Sequence, residues 1–100
     1  MVYRLVRFNL GSGKLDAARH IFTDLVPKIS AQPGFKGVTT FGDEASGNYG
    51  MAILWESTEA SFAGRAVIGP QVSKHLADNN ASSNPFSNEL FEVLNVTLND

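Results

Sequence analysis

The chain contains no cysteine. That removes disulfides, thiolate nucleophiles and zinc–sulfur sites, and it suits the reducing cytoplasm. Only two histidines are present, His20 and His75, far apart in sequence and without thiols beside them, so no metal site is expected. Positive charge is also scarce. Eight Lys and Arg against ten Asp and Glu leave a formal net charge of −2, and the cations are scattered rather than gathered into the basic stripe that a nucleic-acid backbone requires. No apolar run reaches 18 residues, and Arg4 and Arg7 interrupt the early one, so neither a membrane span nor a signal peptide is expected. Gly-x-Ser-x-Gly is missing, which excludes a nucleophile elbow. Gly11-Ser12-Gly13-Lys14 lacks the distal glycine and the following Ser or Thr of a phosphate loop, with Phe8 and Leu15 in those places, and reads as a turn.

What remains is ordinary globular material. Of 100 residues, 43% are apolar, enough for one small domain spanning 1–100. A chain this short buries only about two thirds of its unfolded surface, so association is a common way to gain stability.

Residues Val2 to Phe8 are rich in β-branched and aromatic side chains and predict a strand. Leu15, Ala18, Phe22, Leu25 and Ile29 recur at helical steps and predict a helix over Lys14 to Ala31, capped by Ser12 or Gly13. Pro33-Gly34 ends it. Strands are expected at Phe35 to Phe41 and Tyr49 to Glu56, joined by a hairpin-like loop. Ser57-Thr58 offers a cap for a second helix, which Gly69-Pro70 should break or kink, leaving a further piece at Gln71 to Ala77. The Asn/Ser-rich stretch Asp78 to Asn88 reads as a loop with Phe86 as an anchor, and Leu90 to Leu98 as the last strand.

This order, β-α-β-β-α-β, predicts an α+β, ferredoxin-like fold: a four-stranded antiparallel sheet with two helices on one face. The strands alternate poorly. Tyr49, Met51, Ile53 and Trp55 point one way, yet Gly50, Ala52 and Leu54 on the other side are also apolar. Both sheet faces want cover and the helices supply one, so a second copy of the chain is the expected partner, giving a homodimer.

Three segments carry a family resemblance: Leu5-Val6-Arg7-Phe8 with Gly13-Lys14, then Gln32-Pro33-Gly34-Phe35-Lys36-Gly37, then Leu54-Trp55-Glu56-Ser57-Thr58-Glu59-Ala60. With their spacing, the chain resembles the antibiotic-biosynthesis-monooxygenase-like proteins. The resemblance implies a dimeric α/β barrel with a pocket between sheet and helices. It also implies one of several activities: oxidation of polyketide-like aromatics without metal or flavin, haem degradation, or none known. The haem-degrading pattern needs a tryptophan on the second helix, where this chain has Gly64 or a near neighbour, an asparagine on the first strand a few residues before Asn9, and a histidine on the second helix, within about one residue of which His75 falls. The quinone-forming pattern needs an asparagine on the strand of Trp55, where Met51-Ala52-Ile53-Leu54 stands.

Polar residues narrow the candidates. In this topology Asn9 ends the first strand near Tyr49, and the second helix brings His75 back toward that end, with Trp55 roughly 20 Å away at ~3.3 Å per residue. Asn9, Tyr49 and Trp55 share odd numbering, so one face is expected for them. His75 is the candidate general base and Tyr49 the candidate catalytic hydrogen-bond donor. Asn9, Trp55 and Arg65 are candidate substrate-binding residues, and His20 an exposed residue. The expected activity is a cofactor-independent monooxygenase, or a related enzyme, acting on a small planar apolar or aromatic molecule. The alternatives are a non-catalytic dimeric binding or stress-related protein, or a module that extends another assembly through its sheet. A deep pocket reached by His75 would favour the enzyme, and a pocket filled by Trp55, Phe62 and Phe86 the others. No cofactor, nucleic acid or membrane partner is expected.

Overall fold

The computed structural model describes residues 1–98. Six elements follow in the order β1 (Val2–Asn9), α1 (Leu15–Ser30), β2 (Phe35–Asp43), β3 (Asn48–Trp55), α2 (Thr58–Asp78) and β4 (Phe86–Glu92). The strands form one four-stranded sheet in the order β2-β3-β1-β4, with every pairing antiparallel. This is the ferredoxin-like arrangement expected from the sequence.

Alternation decides which residues meet the helices. Val2, Arg4, Val6 and Phe8 of β1 are buried, as are Tyr49, Met51, Ile53 and Trp55 of β3. They face Ala18, Ile21, Leu25 and Ile29 of α1 and Ser61, Gly64, Ile68, Val72 and Leu76 of α2. Each helical set follows steps of three and four, one stripe per helix. A bulge between Phe35 and Gly37 bends the start of β2.

Three local expectations are corrected. First, α2 runs unbroken through Pro70. Its buried stripe continues on both sides of the proline, and Pro70 itself is exposed, so packing outweighs the lost backbone donor, and the carbonyl that donor would have met lies on the wet side. Pro27 is accommodated within α1 in the same way. Second, the last strand is Phe86–Glu92 rather than Leu90 to Leu98. Phe86 begins the strand opposite Phe8, and residues 93–98 carry no regular structure. Third, Lys14 occupies the cap position of α1 and no side chain caps it, whereas Ser57 does cap α2, its Oγ accepting from the Ala60 backbone N–H.

Candidate active site

A cavity of about 40 Å³ lies between the sheet and α2. Val6, Met51, Ile53 and Trp55 form its sheet wall, Ser61, Gly64, Ile68 and Val72 its helix wall, and Phe86 and Asn88 of β4 its side. Arg4 and Arg65 also line it, and among the described residues no carboxylate does.

Arg4 stands in the buried row of β1, where its neighbours on that face are Val2, Val6 and Phe8. Only 4% of it is exposed. Its Nε donates to Ser61 Oγ and its Nη1 to Asn88 Oδ1, both at 2.9 Å, and the guanidinium carbon sits 5.2 Å from the centre of the Phe62 ring. Its Nη2 is buried without a hydrogen-bond partner. Burial, and then the charge of Arg65, hold its pKa below the ordinary arginine value, yet a guanidinium remains charged throughout the physiological range. Buried charges in proteins are ordinarily paired; among the described residues this one has only neutral partners. Each hydrogen bond to a charged donor contributes about 1.5–3 kcal/mol, while an unmade buried one costs about 1–3.

Small residues on α2 make this arrangement possible. Ser61 and Gly64, one turn apart, lie over Arg4 and Trp55. A Cβ at Gly64 would come within 2.3 Å of the Trp55 ring, so glycine there is what lets the indole pack directly against the helix. The Trp55 Nε1 is a second buried donor without a partner, and Phe35 meets the indole edge-on at 6.2 Å.

Of the residues expected from the sequence, Trp55 and Arg65 line this cavity together. The other three lie elsewhere. Tyr49 is buried on the same sheet face but at the far end of β3, where its ring covers Gly42. Its hydroxyl has no hydrogen-bond partner, and burial, then Glu44 and Asp43, raise its pKa. It borders a separate open cleft with Arg7, Asp43 and Asn48.

Asn9 faces the opposite way. Phe8 pairs with Tyr49 and Asn9 with Asn48, so odd positions of β1 lie across from even positions of β3, and the shared odd numbering does not mean a shared face. Asn9 Nδ2 donates to the Ser46 carbonyl at 3.0 Å and to Asn48 Oδ1 at 2.9 Å, and its Oδ1 accepts from the Gly11 backbone N–H at 2.8 Å. These bonds fasten the end of β1 to the β2–β3 turn.

His75 bridges the helices instead of entering the cavity. Its Nε2 meets Asp24 Oδ2 at 2.6 Å, and Lys28 meets the other oxygen of Asp24 at 3.0 Å. Hydrogen bonding by His75 and then Lys28 lowers the Asp24 pKa. An open groove there holds His20, Asp24, Lys28, Gln71 and His75. The structure thus gathers Trp55 and Arg65 with three residues the sequence did not single out as candidates: Arg4, Ser61 and Asn88. Arg4 carried a readable signal, as the lone cation at an even position among Val2, Val6 and Phe8. Ser61 and Asn88 carried none until helix and strand were docked.

Among the described residues, no group of three or more His, Asp or Glu side chains is placed to hold a metal ion, and no helix is long and apolar enough to cross a membrane.

No protein-family model matches the chain, and no curated protein matches its sequence. Solved structures do match its fold. SnoaB from Streptomyces nogalater, a cofactor-independent oxygenase, superposes with a TM-score of 0.73 at 18% identity, over 95% of this chain and 94% of its own. The monooxygenase ActVA-Orf6 of Streptomyces coelicolor, in complex with nanaomycin D, gives 0.75 at 17% identity over 99% and 92%. A candidate antibiotic-biosynthesis monooxygenase from Deinococcus radiodurans gives 0.76 at 16% identity over 100% and 98%. The structural neighbours are antibiotic-biosynthesis-monooxygenase-like proteins, as the sequence resemblance implied, and at these identities the likeness is one of fold.

Proposed function

We propose that the chain is a cofactor-independent monooxygenase, or a closely related enzyme, that works on a small planar molecule in the cavity between the sheet and α2. The observation that supports it most is the cavity itself: a mostly apolar slot between sheet and helix, walled by Trp55 with Gly64 packed on its ring. Such a slot secludes a flat substrate from water and fixes its orientation. In this reading Trp55 forms the wall against which the ring lies, and Arg65, exposed on α2, guards the opening.

The reaction that fits is oxidation of an activated methylene: R₂CH₂ + O₂ → R₂C=O + H₂O. The substrate loses a proton from carbon and its carbanion passes an electron to dioxygen. One oxygen atom becomes the carbonyl and the other leaves as water with the two hydrogens of the methylene. Among the described residues no carboxylate or imidazole lines the cavity, so in this reading the substrate supplies its own acidity and the protein's share is positioning. The reading is tested by oxygen uptake with anthrone as substrate. One O₂ consumed per anthraquinone formed, faster than buffer autoxidation and slowed about tenfold or more by Trp55→Ala, supports it. Uptake no faster than buffer contradicts it.

A second reading, a non-catalytic binding protein, is favoured by one observation: His75 and Tyr49, the groups expected to move protons, lie outside the cavity. Under that reading a ligand binds and no oxygen is consumed.

The working unit is proposed to be a homodimer joined through the outer sheet face. That face carries Tyr3, Phe41 and Phe91, each at least a third exposed, with Leu5, Ala52 and Leu54 between them. The segment after β4 adds Leu94, Val96 and Leu98, all exposed.

A further inference from the structure

We infer that the cavity beneath α2 binds an organic oxyanion, a carboxylate or phenolate oxygen on a planar molecule, with Arg4 as its counter-ion. This rests on the cavity being a binding site, not on its being an oxygenase.

Four observations converge. Only 4% of Arg4 is exposed, and among the described residues it has no carboxylate partner. Its Nη2 and the Trp55 Nε1, both belonging to residues that line the cavity, are buried donors with no acceptor. The nearby acceptors, Ser61 Oγ and Asn88 Oδ1, each already accept from one of the other two nitrogens of the same guanidinium. A second cation, Arg65, lines the same space. The site therefore offers positive charge and unmet donors in excess of acceptors, so a ligand completes it by supplying negative oxygen. The remaining wall (Val6, Met51, Ile53 and Ile68) is hydrocarbon. It suits the body of an organic anion and leaves most oxygens of a fully hydrated inorganic one unsatisfied.

A purely structural arginine would show a different pattern. It would be paired with a carboxylate or spend all its N–H groups on backbone carbonyls, and it would not share its cavity with another cation and an idle indole N–H.

Trp55 is the chain's one tryptophan and a wall of the cavity, so its emission reports occupancy directly. The experiment titrates the full chain with benzoate, with its neutral isostere benzamide and with inorganic phosphate, in wild type, Arg4→Met and Arg65→Gln. A parallel absorbance titration uses 4-nitrophenol near its pKa. Saturable change with benzoate, at least about tenfold tighter than with benzamide, is expected in wild type. The preference should vanish in Arg4→Met and shrink in Arg65→Gln. Benzoate binding with no nitrophenol response assigns a carboxylate ligand, and bound nitrophenol turning to its coloured anion assigns a phenolate; either supports the inference. Benzamide binding as tightly as benzoate, phosphate competing equally with benzoate, or a benzoate preference that survives Arg4→Met overturns it, while the cavity remains a binding site. If no probe changes Trp55 emission in wild type, the cavity reading itself falls and the inference with it. Should Arg4→Met fail to fold by circular dichroism, the wild-type preference and the Arg65→Gln comparison decide.

Discussion

Arg4 and Gly64 hold the chemistry of the cavity in opposite ways, one by being costly and the other by being small. A buried cation with neutral partners is weakly justified by stability alone, since replacing buried charge by apolar volume is often neutral or stabilising. Arg4→Met should therefore leave the unliganded protein as stable as wild type, or raise its stability by about 1 kcal/mol or more in urea titration. The hydroxyl of Ser61 can turn to the carbonyl one helical turn back, and Asn88 is part-exposed to water. A loss of several kcal/mol would show that Arg4 is there to hold the fold. Gly64→Ala should act the other way. Alanine gains about 1 kcal/mol in helix propensity, but its methyl meets the Trp55 ring, and overpacking costs about 1–3 kcal/mol. A net destabilisation with a shifted Trp55 emission is expected; an unchanged melting temperature and emission would mean that the ring moves freely. At this scale the sequence was partly legible. Trp55 and Arg65 were visible as candidates, but Arg4 was read only as a break in an apolar run, because its burial depends on which face of β1 meets α2.

The pair of helices is tied by side chains at their surface as well as by their buried stripes. Asp24 of α1 meets His75 of α2 and Lys28 of its own helix, and these bonds depress the Asp24 pKa. A carboxylate whose folded pKa lies below its unfolded value of about 3.9 stabilises the fold above that value, and the contribution is lost as pH falls through the depressed pKa. The stability gap between wild type and Asp24→Asn should thus be open at neutral pH and close below about pH 4, measured by urea unfolding across pH. A gap that persists at acid pH would rule out the ionised carboxylate as its cause. The same pairing turns His75 Nε2 toward Asp24 in a groove apart from the cavity, so His75→Ala is expected to leave benzoate binding by Trp55 emission unchanged while loosening the helix pair. In α2, Pro70→Ala should raise the melting temperature, worth about 1–3 kcal/mol, because an exposed interior proline removes a backbone hydrogen bond; a lower melting temperature would indicate that the helix needs its proline. Local signals at Gly69-Pro70 argued for a break. The stripe Ser61, Gly64, Ile68, Val72 and Leu76 overrode them, and that stripe shows only when residues on both sides of Pro70 are read as one helix.

For the whole molecule, the order of elements and the strand neighbours were legible because strand and helix periods differ and turn residues separate them. The position of β4 was not. Phe86 pairs with Phe8 inside a stretch that reads as polar loop, while Leu94, Val96 and Leu98 look like strand and lie outside it. The assignment of one site to Asn9, Tyr49 and His75 was drawn from topology alone. It failed to become a shared cavity because register turns Asn9 away and Asp24 takes His75. The exposed aromatics of the outer face are the best-supported sign of association. Sedimentation velocity at micromolar concentration should show a dimer for wild type and a shift toward monomer for Tyr3→Asp with Phe91→Asp; a wild-type monomer would contradict the two-sided sheet.

The most direct test of the cavity as the functional site is an amide shift map of the isotope-labelled chain with benzoate added. Movement of the Trp55 indole N–H with the amides of Arg4, Ser61 and Gly64 is the predicted result. Shifts confined to the groove of His20, Asp24 and His75, with the Trp55 indole unmoved, would place the site elsewhere.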